Sequence, residues 1–140
     1  MKLNTYLNFN GNCQAAFRFY EEHLGGKITA MMTHAQAPSA QDIPENWRSA
    51  ILHARLTIGG TELLGSDVNT DRFEQIHSSY LSLTVPSPAE AERMFGVLAQ
   101  EGQVFMPLEE TFWAFRFGIL RDRFGILWMI NAERPMPQPV

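Results

Sequence analysis

The chain is predicted to be an α+β protein made of two βαβββ modules. Two observations carry this expectation. A strand, turn and amphipathic helix are written twice, with helix starts at Asn12 and Ser87, 75 residues apart, and helix stops at Gly26 and Gly102, 76 apart. Each helix is then followed by three further strand-like segments.

The elements follow in order. Leu3 to Phe9 alternates Leu3, Thr5, Leu7 and Phe9 with Asn4, Tyr6 and Asn8, the period of a half-buried strand. After Asn10-Gly11, Asn12 stands at an N-cap position, and Cys13, Ala16, Phe17, Tyr20 and Leu24 recur at helical spacing up to Gly25-Gly26. Lys27 to Thr33 is strand-like, Ser49 to Ile58 alternates, and Gly59-Gly60 is a two-residue hairpin turn into a strand from Thr61 to Gly65. Between them, 34–47 holds Pro38, Pro44 and small polar residues, a long loop of the kind often used as a lid. No strand is expected across 35–46.

The second copy begins at Ser79 to Val85, with Leu81, Leu83 and Val85 on one face. Ser87, Pro88 and Glu90 then supply an N-cap, a first-turn proline and a capping-box acid. Ala91, Met94, Phe95 and Leu98 form one helical face before Gly102. Gln103 to Met106, Phe112 to Leu120 and Ile126 to Asn131 read as strands, with a turn at Asp122 to Gly125. The modules thus span about 1–68 and 77–133 of a single domain, and the proline-rich tail 134–140 suits neither helix nor central strand.

Composition bounds the function. Eleven Lys and Arg against fifteen Asp and Glu give a net charge of −4, so neither a nucleic acid nor an anionic membrane surface is expected as a partner. No stretch nears the roughly 18 apolar residues of a membrane helix, and Lys2 leads into a polar strand rather than a signal core, so a cytoplasmic location is expected. Cys13 is the only cysteine, which excludes an internal disulfide and a multi-thiolate zinc site. Its place in a first helical turn would lower its pKa somewhat, while its apolar spacing argues for burial.

Three stretches, Tyr6 to Tyr20, Ala50 to Asp67 and Glu110 to Asn131, resemble the PhnB-like proteins of the vicinal oxygen chelate superfamily in order and spacing. That superfamily includes glyoxalase I, extradiol dioxygenases and bleomycin-resistance proteins. The resemblance rests on the asparagine-rich helix entry, the Glu110-Thr111-Phe112-Trp113 word, and the Phe124-Gly125 turn before Trp128-Met129-Ile130-Asn131. It implies a curved mixed-sheet cup with the helices on its convex face, and a homodimer. A demethylubiquinone methyltransferase name also attaches to the branch, but nothing in the chain looks like a glycine-rich methyl-donor turn after a strand.

The resemblance further implies metal-ligand places on the first and last strands of each module. Counting from the turns puts these at His53, Tyr80 and Met129, with Asn4 or Thr5 on the N-terminal strand. A phenol and a thioether do not replace carboxylates or imidazoles around a divalent cation, so no cofactor is expected. The alternative is a divalent metal held by His53 with Asp67 or Glu110. Without a metal, the face away from the helix carries His53 as candidate catalytic base, Arg55 as a holder of carboxylate or phosphate, and Tyr6, Asn8 and Tyr80 beside them. Trp113, at the mouth of a strand, joins Met129 as a candidate ligand contact. Phe112, Phe115, Phe117 and Trp128 are expected mainly in the core. His23, His34 and His77 read as surface residues, and Ser66-Asp67 as a turn or cap. Three functions stay open: binding of a small organic ligand in the cup, a glyoxalase or dioxygenase-type metalloenzyme with a rearranged site around His53, and a bleomycin-resistance-like sequestering protein.

Overall fold

The computed structural model describes residues 1–38 and 40–135, which fall into two compact units divided between Glu74 and Gln75. The first unit runs β1 (Thr5–Phe9), α1 (Cys13–His23), β2 (Lys27–Thr33), β3 (Ile51–Ile58) and β4 (Thr61–Asp67). The second runs β5 (Leu81–Thr84), α2 (Pro88–Ala99), β6 (Gln103–Glu109), β7 (Ala114–Arg121) and β8 (Leu127–Glu133). Each is a βαβββ module with one four-stranded mixed sheet, ordered β1-β4-β3-β2 and β5-β8-β7-β6. The first strand of each module pairs parallel with the last, and the other pairs are antiparallel.

In the first unit the predicted helix stripe is the buried one. Cys13, Ala16, Phe17 and Tyr20 are fully buried and Leu24 nearly so, against Leu7 and Phe9 of β1, Ala54 and Leu56 of β3 and Leu63 of β4. Phe17 meets Phe9 edge to face at 6.0 Å. Its ring lies so close to the sheet that a Cβ at Gly65 would stand 2.7 Å from it, so only glycine fits there. The second unit uses the same device on a different strand of its module: a Cβ at Gly118 would stand 2.6 Å from the Phe95 ring.

Strict alternation fails at one point of β3. Leu52 is expected in the helix-facing row but is 36% exposed, while Ile51 is buried. The pairing explains it: Met32 faces His53 and Thr33 faces Ile51, so one extra residue of β3 is taken up at Leu52 and the parity before it is inverted.

Helix ends also depart in detail from the sequence reading. Asn12 holds the N-cap position of α1, yet its side chain makes no capping bond. The Asp67 carboxylate does so from the end of β4, accepting from Gly11 N at 2.9 Å and Cys13 N at 3.0 Å. Ser87 does cap α2, accepting from Glu90 N at 3.2 Å, but the Glu90 carboxylate turns to Arg93 instead of closing a box. After α2 the left-handed residue is Glu101 (φ 58°), not Gly102. Gly102 is needed for closeness, since a Cβ there would fall 2.3 Å from the Arg121 carbonyl oxygen.

The long loop contains three 3-10 turns, His34–Gln36, Ala40–Asp42 and Glu45–Trp47, and no strand among its described residues. Its base is closed by His34 N to Ala50 O and Ala35 N to Arg48 O, both 2.9 Å. The expectation for the proline-rich tail falls mostly on 136–140, outside the described residues. Among the described residues no helix is long and apolar enough to cross a membrane.

Candidate functional site

Helix α1 covers one face of the first sheet. Directly opposed residues share a face, so the pairs Arg55 with Leu64, Thr57 with Glu62, Met32 with His53 and Tyr6 with Leu64 assemble the other, open face. On it Tyr6, His53, Arg55 and Glu62 form one chain of hydrogen bonds across β1, β3 and β4. Tyr6 Oη lies 3.3 Å from His53 Nδ1, Arg55 Nε donates to His53 Nε2 at 3.3 Å, and Arg55 Nη1 donates to Glu62 Oε1 at 3.1 Å. The row is open to solvent: the Arg55 side chain is 48% exposed and that of Glu62 28%. Asn8 stands on the same face and accepts from Ser66 Oγ at 3.4 Å.

Tyr6, His53 and Arg55 are therefore brought together as the sequence suggested, and Tyr6 and Arg55 are the partners that orient the imidazole. Glu62 is an addition. The signal for it lay in the two-residue turn at Gly59-Gly60: the register Ile58 with Thr61 sets Glu62 opposite Thr57 and diagonal to Arg55, within reach of a long side chain.

Asp67 sits on the other side of the sheet. It is 5% exposed, and besides Gly11 N and Cys13 N it accepts from Ile51 N at 2.8 Å. Its oxygens thus hold the N-terminus of α1 and the start of β3 together, and it shares no face with His53. Cys13 is fully buried beside it, and burial, with the Asp67 charge adding to it, pushes the thiol up to about 12. The lowering expected from the helix end is overturned, because desolvation of a thiolate outweighs a helix dipole whose positive end already faces a carboxylate.

In the second unit Tyr80, just before β5, is 41% exposed, and Ser82 pairs with Met129, which pairs in turn with Ile119. Register also corrects the counting of ligand places. The buried pairs Ala54 with Gly65 and Gly118 with Ile130 correspond, so the counterpart of His53 is Phe117 and that of Met129 is Leu64. His53 is on the third strand of its module rather than the last, because counting back from one hairpin and forward from the other lands on different strands. Tyr80 and Asn4 do correspond.

The aromatic set divides. Trp128 is core, 1% exposed, with Nε1 donating to Asp122 Oδ2 at 2.8 Å. Phe112 and Phe115 are 82% and 38% exposed and Phe117 is half-buried, so three of the four expected in the core do not pack inside, and Trp113 is half-buried too. Trp113 meets Phe112 at 4.9 Å and Phe117 at 5.4 Å, both edge to face. Glu110 is ion-paired with Arg134, whose guanidinium lies 4.9 Å over the Phe115 ring. Of the other histidines, His77 is exposed and His23 and His34 half-buried, with His34 Nε2 enclosed and unbonded among the described residues.

No group of three or more His, Cys, Asp or Glu side chains among the described residues is arranged to hold a metal ion. The donor chemistry does not fit a divalent cation either. Both His53 nitrogens are in hydrogen bonds, Asp67 is spent on three backbone amides, and Tyr80 and Met129 are neutral.

The paired βαβββ modules define a vicinal-oxygen-chelate-like fold, shared with a glyoxylase/bleomycin resistance protein/dioxygenase domain from Frankia sp. EAN1pec at 16% identity and TM-score 0.64, and with the fosfomycin resistance protein FosX from Listeria monocytogenes at 9% and 0.66, a likeness of fold alone. The chain belongs to the family described as 3-demethylubiquinone-9 3-methyltransferase, whose model matches residues 1–131. Protein PA1353 from Pseudomonas aeruginosa is 45% identical, with TM-score 0.86, over 96% of this chain and 99% of that one. Protein YjdN of Escherichia coli K12 is 36% identical over 98% of this chain and 99% of its own. The PhnB protein from Bacillus cereus is 27% identical, with TM-score 0.79, over 94% of this chain and 99% of that one.

Proposed function

We propose that the chain binds a small organic molecule on the open face of its first unit. The observation that carries this is the bonded row Tyr6, His53, Arg55 and Glu62. Solvated sheet faces need no such linkage, since water satisfies each side chain alone, whereas tying four side chains together costs rotamer freedom that a binding surface turns into preorganisation. Arg55 Nη2 keeps its donors free among the described residues, and Met32, Ala30 and Leu64 supply apolar floor nearby. A chain of this kind is read as a binding protein with no reaction assigned.

Methyl transfer, the activity in the family's description, is not adopted. Asn10-Gly11-Asn12 supplies one glycine between β1 and α1, and the amides of Gly11 and Cys13 at that helix N-terminus are occupied by Asp67. The experiment is thermal-shift screening of a panel of small carboxylates and phosphates, followed by titration of the hits into His53→Ala. That variant should unfold within about 0.5 kcal/mol of wild type, because it removes no helix-side packing. Its binding should weaken by about 1 to 3 kcal/mol. A large stability loss, or unchanged affinity, would count against the site.

A further inference from the structure

We infer that the row is a one-way donor relay whose outlet is the Tyr6 hydroxyl, so that the ligand it takes is an oxygen anion, a carboxylate or a phosphate ester, that accepts from Tyr6. This rests on the binding face proposed above and names the ligand's chemical class. A guanidinium Nε–H can only donate. The bond from Arg55 Nε to His53 Nε2 therefore requires Nε2 to carry no proton, which makes the imidazole neutral with its proton on Nδ1. Nδ1 then donates to Tyr6 Oη, the tyrosine oxygen is used as an acceptor, and the phenolic hydrogen is left to point away from the row.

Every link from Arg55 onward thus donates in the same direction. Hydrogen bonds that run head to tail polarise one another, so the terminal O–H is a stronger donor than an isolated phenol. Glu62 lies at the opposite end, taking one Arg55 Nη1 hydrogen, which fixes the guanidinium plane. The Tyr6 O–H is then a donor with no acceptor among the described residues, and an oxygen of a carboxylate or phosphate supplies one.

In this arrangement His53 is a positioning residue, not a base. Its accepting nitrogen is held by Arg55, so Nε2 takes a proton only if that bond first breaks. A glutamine at this place keeps an acceptor at one end and an N–H donor at the other, whereas leucine keeps neither.

The test is titration calorimetry with benzoate, phenyl phosphate and benzamidine against wild type, Tyr6→Phe, His53→Gln, His53→Leu, Arg55→Ala and the double variant Tyr6→Phe/His53→Leu, each checked for folding by circular dichroism. Benzoate or phenyl phosphate should bind wild type, the two arms separating carboxylate from phosphate, and benzamidine should bind at least tenfold more weakly. Tyr6→Phe and His53→Leu should each lose about tenfold, the double variant no more than either, and His53→Gln should stay within about threefold of wild type. A His53→Gln variant as poor as His53→Leu, additive losses in the double variant, or benzamidine as the preferred probe would overturn the relay. Binding that Arg55→Ala leaves untouched would overturn the binding face itself, a different failure. Absence of binding by both anions at millimolar concentration would overturn the ligand class.

Discussion

Asp67 is the residue whose removal the structure prices most clearly. Its carboxylate, 5% exposed, accepts three backbone N–H groups: Gly11 at 2.9 Å, Cys13 at 3.0 Å and Ile51 at 2.8 Å. In Asp67→Ala the amide of Gly11, an exposed residue, turns to water, while those of Cys13 and Ile51, both on buried residues, lose their acceptor. A stranded buried donor costs about 1 to 3 kcal/mol, so the expected loss for the two is about 2 to 6 kcal/mol, a large part of the about 5 to 15 kcal/mol that holds a domain folded. Asp67→Asn keeps one oxygen for Gly11 and Cys13 but sets an amide N–H₂ against Ile51 N–H, for an expected loss of about 2 to 3 kcal/mol. Urea unfolding followed by far-ultraviolet circular dichroism gives both values, and amide exchange should speed up at Cys13 and Ile51 first. A loss below about 1 kcal/mol in Asp67→Ala, or a normal fold that has lost a bound divalent metal, would refute the structural role and return Asp67 to the candidate ligands.

Three further outcomes follow from the same structure. Glu101 holds a left-handed φ of 58° without being glycine, so Glu101→Gly should stabilise by about 0.5 to 1 kcal/mol in urea melts, while Gly102→Ala, 2.3 Å from the Arg121 carbonyl, should cost about 1 to 3 kcal/mol. Cys13 should resist iodoacetamide at pH 8 until the chain is unfolded. Because its folded pKa is raised to about 12, the folded state keeps a proton that the unfolded state sheds from about pH 9, so its contribution to stability is complete below pH 9 and is lost between pH 9 and 12; the stability difference between wild type and Cys13→Ala should shrink by about 2 kcal/mol between pH 8 and 11. We also propose that the chain self-associates, since Val104, Phe105 and Met106 on the edge strand β6 are 44%, 48% and 43% exposed; light scattering should give twice the 15.9 kDa of one chain, and a monomer at high micromolar concentration would contradict it.

How much of this was legible in the sequence depends on the range of each signal. The helix stripe from Cys13 to Leu24 and the Gly59-Gly60 hairpin are local patterns, and both appear as read. Asp67 capping α1 is not local: donor and acceptor are 54 residues apart, so Asn12, beside the helix, took the role on paper. The bulge at Leu52 leaves no mark in an alternating string, because one inserted residue looks like continued alternation until the partner strand is seen. Burial of the aromatics is not legible in the sequence, because their spacing on a strand fixes which face they share, whereas what covers that face is a tertiary fact. The Tyr6, His53 and Arg55 grouping was within reach because parity alone puts them on one side. The direction of their hydrogen bonds was not.

Every role proposed for the row requires that this face of the first unit be where a ligand sits. Titration of uniformly ¹⁵N-labelled protein with benzoate or phenyl phosphate, read by nuclear magnetic resonance at the backbone amides, the imidazole nitrogens and the guanidinium Nε, measures this directly. Saturable shifts should centre on Tyr6, His53, Arg55 and Leu64, with His53 protonated on Nδ1 and unprotonated on Nε2 before and after addition. Shifts that centre on Phe112 and Trp113 instead, or a free protein whose His53 proton sits on Nε2, would contradict it.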